Sequence, residues 1–308
     1  MTELGPIRSA IDWGELAPLR LRARSAAEGV YAGAHRSARR GAGVEFGGYR
    51  AYVPGDDLRW LDRRSLLRHD RLLVRQFETD TDRSLCLLVD ASASMGFRGP
   101  RAPGAKLAFA AVIAAALSRL ALLNGDPVSL AFLGSRGRTA TVARSGGREQ
   151  FERIVAALEA ANADGDATTD SGMTDRALQS LTRDARRGAI IVFLSDLLDL
   201  PGDAVSRVTA LAASGRVLAV VQTLDPAEVE FPYRGTVRLR ALEGGAVVET
   251  DADLMRDKYL AALAQLTGQW REAVARRGGR FVGAVTTDDL VRVVRLVVES
   301  VRQAATGS

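Results

Sequence analysis

Three hard oxygen donors stand at alternate positions in Asp90-Ala91-Ser92-Ala93-Ser94, and Gly96 then releases the chain. A second acid, Asp196, closes another apolar run, Ala189-Ile-Ile-Val-Phe-Leu-Ser-Asp. Two carboxylates with two or three hydroxyls, and no His or Cys nearby, form an oxygen-only set. Such a set suits Mg²⁺ or Mn²⁺, with water filling the remaining positions at about 2.1 Å. A further hydroxyl is available from Thr168, Thr169, Ser171 or Thr174. The competing reading is purely structural: Asp90 caps the following loop, and Ser92 and Ser94 satisfy backbone groups. Position favours the metal reading. The motif directly follows a buried strand and precedes a glycine and a long apolar helix.

The elements that must position these residues are legible from periodicity. Leu85 to Val89 runs without a polar break, as a strand covered on both faces does. From Arg83 onward, strand and helix alternate. Strands are expected at Leu85–Asp90, Val128–Leu133, Thr139–Ala143, Ala189–Leu194, Arg216–Gln222 and Arg280–Val285. Helices are expected at Lys106–Leu123, Arg148–Ala161, Met173–Arg186, Gly202–Ser214, Ala252–Arg276 and Asp288–Gln303. This spacing indicates βαβ units in an α/β fold, a doubly wound, mostly parallel, Rossmann-like sheet. In such sheets, ligands sit outside the carboxyl ends of the strands, where Asp90 and Asp196 lie.

Other segments break that rhythm. Thr236–Leu242 and Ala246–Glu249, joined by Gly244-Gly245, read as a hairpin on the sheet edge. Residues 5–30 read as helical. Around His35 glycine and turn formers take over, and Val44–Phe46 and Tyr49–Val53 read as short extended pieces. Asp56 or Asp57 caps a short helix through Leu58, Leu61 and Leu66. A strand from Leu72 leads toward the main sheet. The expected organisation is a small N-terminal helix and β-rich module (1–82), a metal-binding α/β domain (83–225), and a C-terminal hairpin and helices completing it (226–308).

Composition narrows the function classes. The chain has 308 residues, 47% of them hydrophobic, and one cysteine, Cys86, inside the first main strand. A lone buried thiol gives no disulfide framework, which suits a reducing compartment. The longest apolar stretch, Leu107 to Leu117, is short for a membrane span, and the start of the chain lacks an apolar signal core. The expectation is a cytoplasmic protein. Residues 1–75 hold 14 Arg against 9 acids, while the rest is neutral. Acids interleave the arginines, which reads as solvated surface rather than a nucleic-acid footprint. Alternate arginines such as Arg20 and Arg22 also point to different helix faces, so they do not form one stripe.

Catalysis finds less support. A Ser hydrolase on this fold needs a Gly-x-Ser-x-Gly elbow and a late His. The two histidines, His35 and His69, precede Ser92 and Ser94. No Gly-rich Walker motif is present. Metal-assisted phosphoryl transfer is the enzymatic alternative, but Ser92 occupies the place of the second aspartate of haloacid-dehalogenase-like phosphatases.

Asp90-Ala-Ser-Ala-Ser after an apolar strand, with Ser195-Asp196 after a later one, resembles the von Willebrand factor A fold and its metal-ion-dependent adhesion site. The preceding segment narrows the resemblance. Gly41-x-Gly-x-Glu-Phe-x-x-x-Arg-x-Tyr-x-x-Gly-Asp-Asp, then Arg75-x-Phe-Glu-Thr-Asp, is similar to the bacterial family labelled domain of unknown function 58. Leu61-Asp62-Arg63 departs from the Ile-Asp-Trp-like stretch common there. The resemblance implies a non-catalytic, metal-dependent interaction module, an adaptor for a MoxR-type AAA+ ATPase in protein assembly or maturation. It implies Asp90, Ser92, Ser94, Asp196 and a threonine, here assigned to Thr169, as the ligands of Mg²⁺ or Mn²⁺. A carboxylate from a protein ligand would complete the coordination.

Overall fold

The computed structural model describes residues 11–37, 48–51, 61–62, 73–76, 83–134, 141–165, 171–198, 200–240 and 247–306. The chain divides into two compact units, Gly33–Asp82 and the remainder, Met1–Ala32 with Arg83–Ser308.

In the smaller unit, β1 (Gly48–Ala51), β2 (Leu61–Asp62) and β3 (Leu73–Gln76) form an antiparallel sheet in the order β1-β3-β2. Two expectations change here. Leu61 lies in a strand opposite Val74, not in a helix, so pairing with β3 overrides the apolar spacing. β3 belongs to this small sheet instead of leading into the main one. Val44–Phe46, Leu58 and Leu66 lie outside the described residues.

The larger unit begins with a 3₁₀ turn, Gly14–Leu16, and α1 (Leu19–Ser37). Leu19, Ala23, Ala26 and Val30 recur at helical spacing and are buried in the main core. That stripe is why residues up to Ala32 group with 83–308 rather than with an N-terminal module ending at 82.

Six strands follow: β4 (Leu85–Asp90), β5 (Val128–Leu133), β6 (Val142–Ser145), β7 (Ile190–Ser195), β8 (Val217–Leu224) and β11 (Arg280–Val285). Their order is β11-β8-β7-β4-β5-β6, and β6 alone runs antiparallel. β4 is central, with β5 on one side and β7 on the other. The chain therefore winds outward in both directions from β4, which creates a switch point at its carboxyl end.

Side-chain parity builds the two core layers. Leu87 and Val89 face a layer formed with α1, α2 (Lys106–Leu123), α3 (Arg148–Glu159) and α8 (Leu290–Thr306). Cys86 and Leu88 face a second layer with α4 (Ser171–Asp184), α5 (Ala204–Ala210) and α7 (Ala252–Arg276). Trp270 on α7 is buried there against Phe193, ring centroids 6.3 Å apart. α2 is long and apolar enough to cross a bilayer, yet here it is the buried helix beside β4.

β9 (Thr236–Arg240) and β10 (Val247–Asp251) form the expected hairpin, but as a separate two-stranded sheet. The turn signal specified local pairing only. A short helix, α6 (Pro226–Glu230), follows β8.

Candidate metal centre

β4 carries Asp90 to the sheet rim as its last residue, fully buried. The chain then leaves the sheet. The Ala91 N–H still reaches the Leu133 carbonyl (2.8 Å), after which Ser92 bridges to Gly165. Gly165 donates to the Ala91 carbonyl and accepts from the Ala93 N–H. A Cβ at Gly165 would stand 1.2 Å from the Gly134 carbonyl oxygen, so only glycine allows this approach. The Asp-x-Ser-x-Ser loop is thus clamped between the β5 end and the segment that precedes α4.

Within that clamp the donors converge. The Ser92 N–H donates to Asp90 Oδ1 (2.9 Å), and the Ser92 and Ser94 hydroxyls lie 3.1 Å apart. From the neighbouring strand, Ser195 Oγ donates to Asp90 Oδ2 at 2.6 Å and accepts from the Leu197 N–H at 2.8 Å. Leu197, buried and not glycine, holds a left-handed backbone (φ 65°), strain of the kind found at functional sites. Asp196 is fully buried beside Ser195, its Oδ1 accepting from the Leu198 N–H (2.9 Å). Gln222 Nε2 holds the Asp196 carbonyl at 3.3 Å.

The structure therefore brings Asp90, Ser92, Ser94 and Asp196 to one rim. Thr168 and Thr169 lie outside the described residues. Ser171 and Thr174 fall in α4, but their side chains are outside the description as well. Among the described residues no three His, Cys, Asp or Glu side chains cluster as a metal set, so hydroxyls are essential to any ion held here.

Sequence reasoning missed Lys106. It is the first residue of α2, where a positive charge opposes the helix dipole, and it is wholly buried. Its Nζ donates to Asp196 Oδ2 at 2.7 Å and also to Glu228 Oε1. Glu228 closes a capping box on α6: its Oε2 accepts from the Asp225 N–H, and Asp225 Oδ1 accepts from the Ala227 N–H (both 2.8 Å). Asp225 Oδ2 accepts from Gly99 N–H (2.8 Å), where a Cβ would stand 2.3 Å from the carboxylate. One signal was available. The chain has two lysines among its 42 basic residues, and one stands at the start of its most apolar helix.

The charges have physical consequences. Burial, and then the nearby charge of Asp196, push the Asp90 carboxyl from its usual 3.8 up to about 6. Burial pulls the Lys106 ammonium toward neutrality, but Asp196 and Glu228 outweigh that, so its proton is held more tightly than usual. Burial pushes the Glu228 carboxyl up, against the pull of Lys106. A lysine held protonated this firmly is no general base for Ser92 or Ser94. The donor set fits a hard divalent cation: Asp90 is a buried acid that no cation among the described residues contacts, with the Ser92 and Ser94 hydroxyls close by.

Three arginines of α1 are engaged within the fold. Arg20 pairs with Glu152, Arg24 with Glu28, and Arg22 with the Glu15 carbonyl.

A central strand ending in Asp-x-Ser-x-Ser, at the switch point of a mostly parallel sheet with an antiparallel edge, defines a von Willebrand A-like α/β protein. The chain belongs to the family described as protein of unknown function DUF58, whose model matches residues 48–268. An uncharacterised protein of Mycobacterium tuberculosis, Rv1480, is 31% identical over 307 residues, 98% of this chain and 95% of its own. The uncharacterised Mb1516 of Mycobacterium bovis matches equally. Among solved structures, the conserved hypothetical protein BatB from Bacteroides thetaiotaomicron is similar at 17% identity and a TM-score of 0.45. That match covers 71% of this chain and 98% of BatB. A von Willebrand factor type A protein from Catenulispora acidiphila is similar at 11% identity and a TM-score of 0.41, covering 76% and 44%.

Proposed function

We propose that this protein is a non-catalytic interaction module whose rim holds Mg²⁺ or Mn²⁺. Asp90, Ser92 and Ser94 would bind the ion, Asp196 would back them, and a hydroxyl from the segment around Thr169 would join. A coordination position stays open for a carboxylate of a protein partner, where the ion's charge makes the contact strong and selective. The observation that carries this reading is the buried pair of Ser92 and Ser94 hydroxyls, Ser92 bonded to a buried Asp90 carboxylate that no cation among the described residues contacts. The partner implied by the family resemblance is a MoxR-type AAA+ ATPase, with an adaptor role in protein assembly or maturation in the cytoplasm. The gathered side chains are carboxylates, hydroxyls and a protonated amine, a set suited to holding charge rather than to acyl transfer.

The test is a pull-down with a MoxR-type AAA+ ATPase of the same organism, run with Mg²⁺, with EDTA, and with Asp90→Asn. Capture in Mg²⁺ alone, lost on chelation and in the folded variant, supports the reading. Equal capture in all three arms refutes it.

A further inference from the structure

Lys106 is unexplained by an ion at Asp90. Its ammonium joins three rim elements: the start of α2, the β7 end through Asp196, and α6 through Glu228. It also lies 5.8 Å from the Phe97 ring centroid, just beyond the Asp-x-Ser-x-Ser loop. A buried ammonium bonded to two acids from distant segments is an expensive way to start a helix. Its placement makes sense if the rim needs a resident positive charge that can be shared.

We propose that Lys106 is the positioning residue that sets the rim's cation affinity and couples it to α6, by sharing its ammonium between Asp196 and Glu228. This rests on the cation reading above. Lys106 compensates Asp196, and among the described residues no cation pairs with Asp90. Added positive charge at Asp90 repels the ammonium away from Asp196, and Glu228 is the acid that receives it. Glu228 also holds the Asp225 N–H, so this shift is felt by the turn that fixes α6 against Gly99. α6 ends at Phe231, left-handed at φ 46°, whose ring packs against Tyr233 and Tyr259 with centroids 5.2 and 4.9 Å away. Occupancy of the rim is thereby transmitted to a neighbouring surface through one side chain.

The experiment compares full-length wild type with Lys106→Met, Glu228→Gln and, as a surface-charge control, Glu230→Gln. Glu230 lies on the same helix but pairs with exposed Arg101. Mn²⁺ affinity is measured by calorimetry, and Mg²⁺-dependent hydrogen exchange is followed across 225–231. Removing the ammonium should tighten Mn²⁺ by at least about tenfold, and removing its second acid should weaken it by a similar factor. Glu230→Gln should match wild type. Mg²⁺ should alter exchange across 225–231 in wild type and not in Lys106→Met. If Lys106→Met fails to fold, the Glu228→Gln and Glu230→Gln pair decides alone. Equal Mn²⁺ affinity in those two, or both lysine and glutamate variants shifting the same way, overturns the proposal while leaving the cation reading intact. Absence of Mn²⁺ uptake by wild type and every variant overturns both.

Discussion

Protonation of Asp90 gives a stability signal whose sign can be worked out from the structure. In the unfolded chain this carboxyl titrates near its ordinary 3.8; in the fold it titrates at about 6. The folded state therefore binds the proton more tightly. At about 1.4 kcal/mol per pH unit, the ionised rim costs about 3 kcal/mol above pH 6, and that cost disappears below the unfolded value. Stability from this group is full in acid and is lost as pH rises through about 6. Between about pH 8 and pH 5 the linkage relation gives a gain of about 1.4 kcal/mol, since only part of the window is crossed. With a urea slope of about 3 kcal/mol per molar, the midpoint moves up by about 0.5 M. The assay is urea unfolding of EDTA-treated protein at both pH values, for wild type and Asp90→Asn, so that other carboxyls cancel in the difference. Glu228, raised by burial, adds to wild type and variant alike. Saturating Mg²⁺ should remove the difference by stabilising the carboxylate. A wild type that loses stability relative to Asp90→Asn on acidification would refute the reasoning, because it would mean that the buried carboxylate is better compensated than its surroundings imply.

Two further substitutions probe the scaffold. Ser195→Ala removes the hydroxyl that donates to Asp90 Oδ2 and accepts from the Leu197 N–H, leaving a buried donor and acceptor unmatched. It should cost about 1–3 kcal/mol in denaturant unfolding, more above pH 6 than below it. Gly165→Ala forces a methyl group into the Gly134 carbonyl, so the clamp on Ser92 must open. Thermal unfolding should fall by several degrees, about 2 kcal/mol or more, and Mn²⁺ affinity should fall with it. An unchanged melting temperature would show that the loop is not clamped as described.

Legibility in the sequence followed locality. β4, β5, β11, α2 and α7 lie within the bounds read from the sequence, because each is a continuous apolar run or a strongly periodic one. The two-faced burial of Leu85 to Val89 also placed Asp90 at a strand end before any topology was known. What was missed depends on distant partners. Lys106 meets Asp196 across 90 residues and Glu228 across 122, and no local pattern at the start of α2 announces either. Leu61 reads as helical by spacing, yet its register opposite Val74 decides its state. The hairpin was found through its glycines, but glycines specify a turn and not a neighbouring strand, so its separation from the main sheet was invisible. Thr169 comes from a run offering several hydroxyls, and no local pattern in that run singles one of them out.

The rim is best understood as one electrostatic problem with several partial answers. Four acids are buried or nearly so at this rim, Asp90, Asp196 and Asp225 at the ends of β4, β7 and β8 and Glu228 on α6, with the Lys106 ammonium bonded to two of them. Buried charge that is not matched is too costly to persist, so the excess must be cancelled by a proton or by a cation. Both Asp90 oxygens are held by donors that prefer the ionised form, the Ser92 N–H and the Ser195 hydroxyl, which would be weakly used by a protonated acid. The Ser92 and Ser94 hydroxyls, placed 3.1 Å apart on a loop that Gly165 holds close, lie beside that carboxylate rather than turning outward to water. A loop whose only task was to cap itself would need neither the second serine nor the strained Leu197 turn that aims Ser195 at Asp90. The left-handed Leu197 turn and the buried Asp90 carboxylate, which meets no cation among the described residues, fall in the same few residues, and a bound divalent ion would relieve that charge.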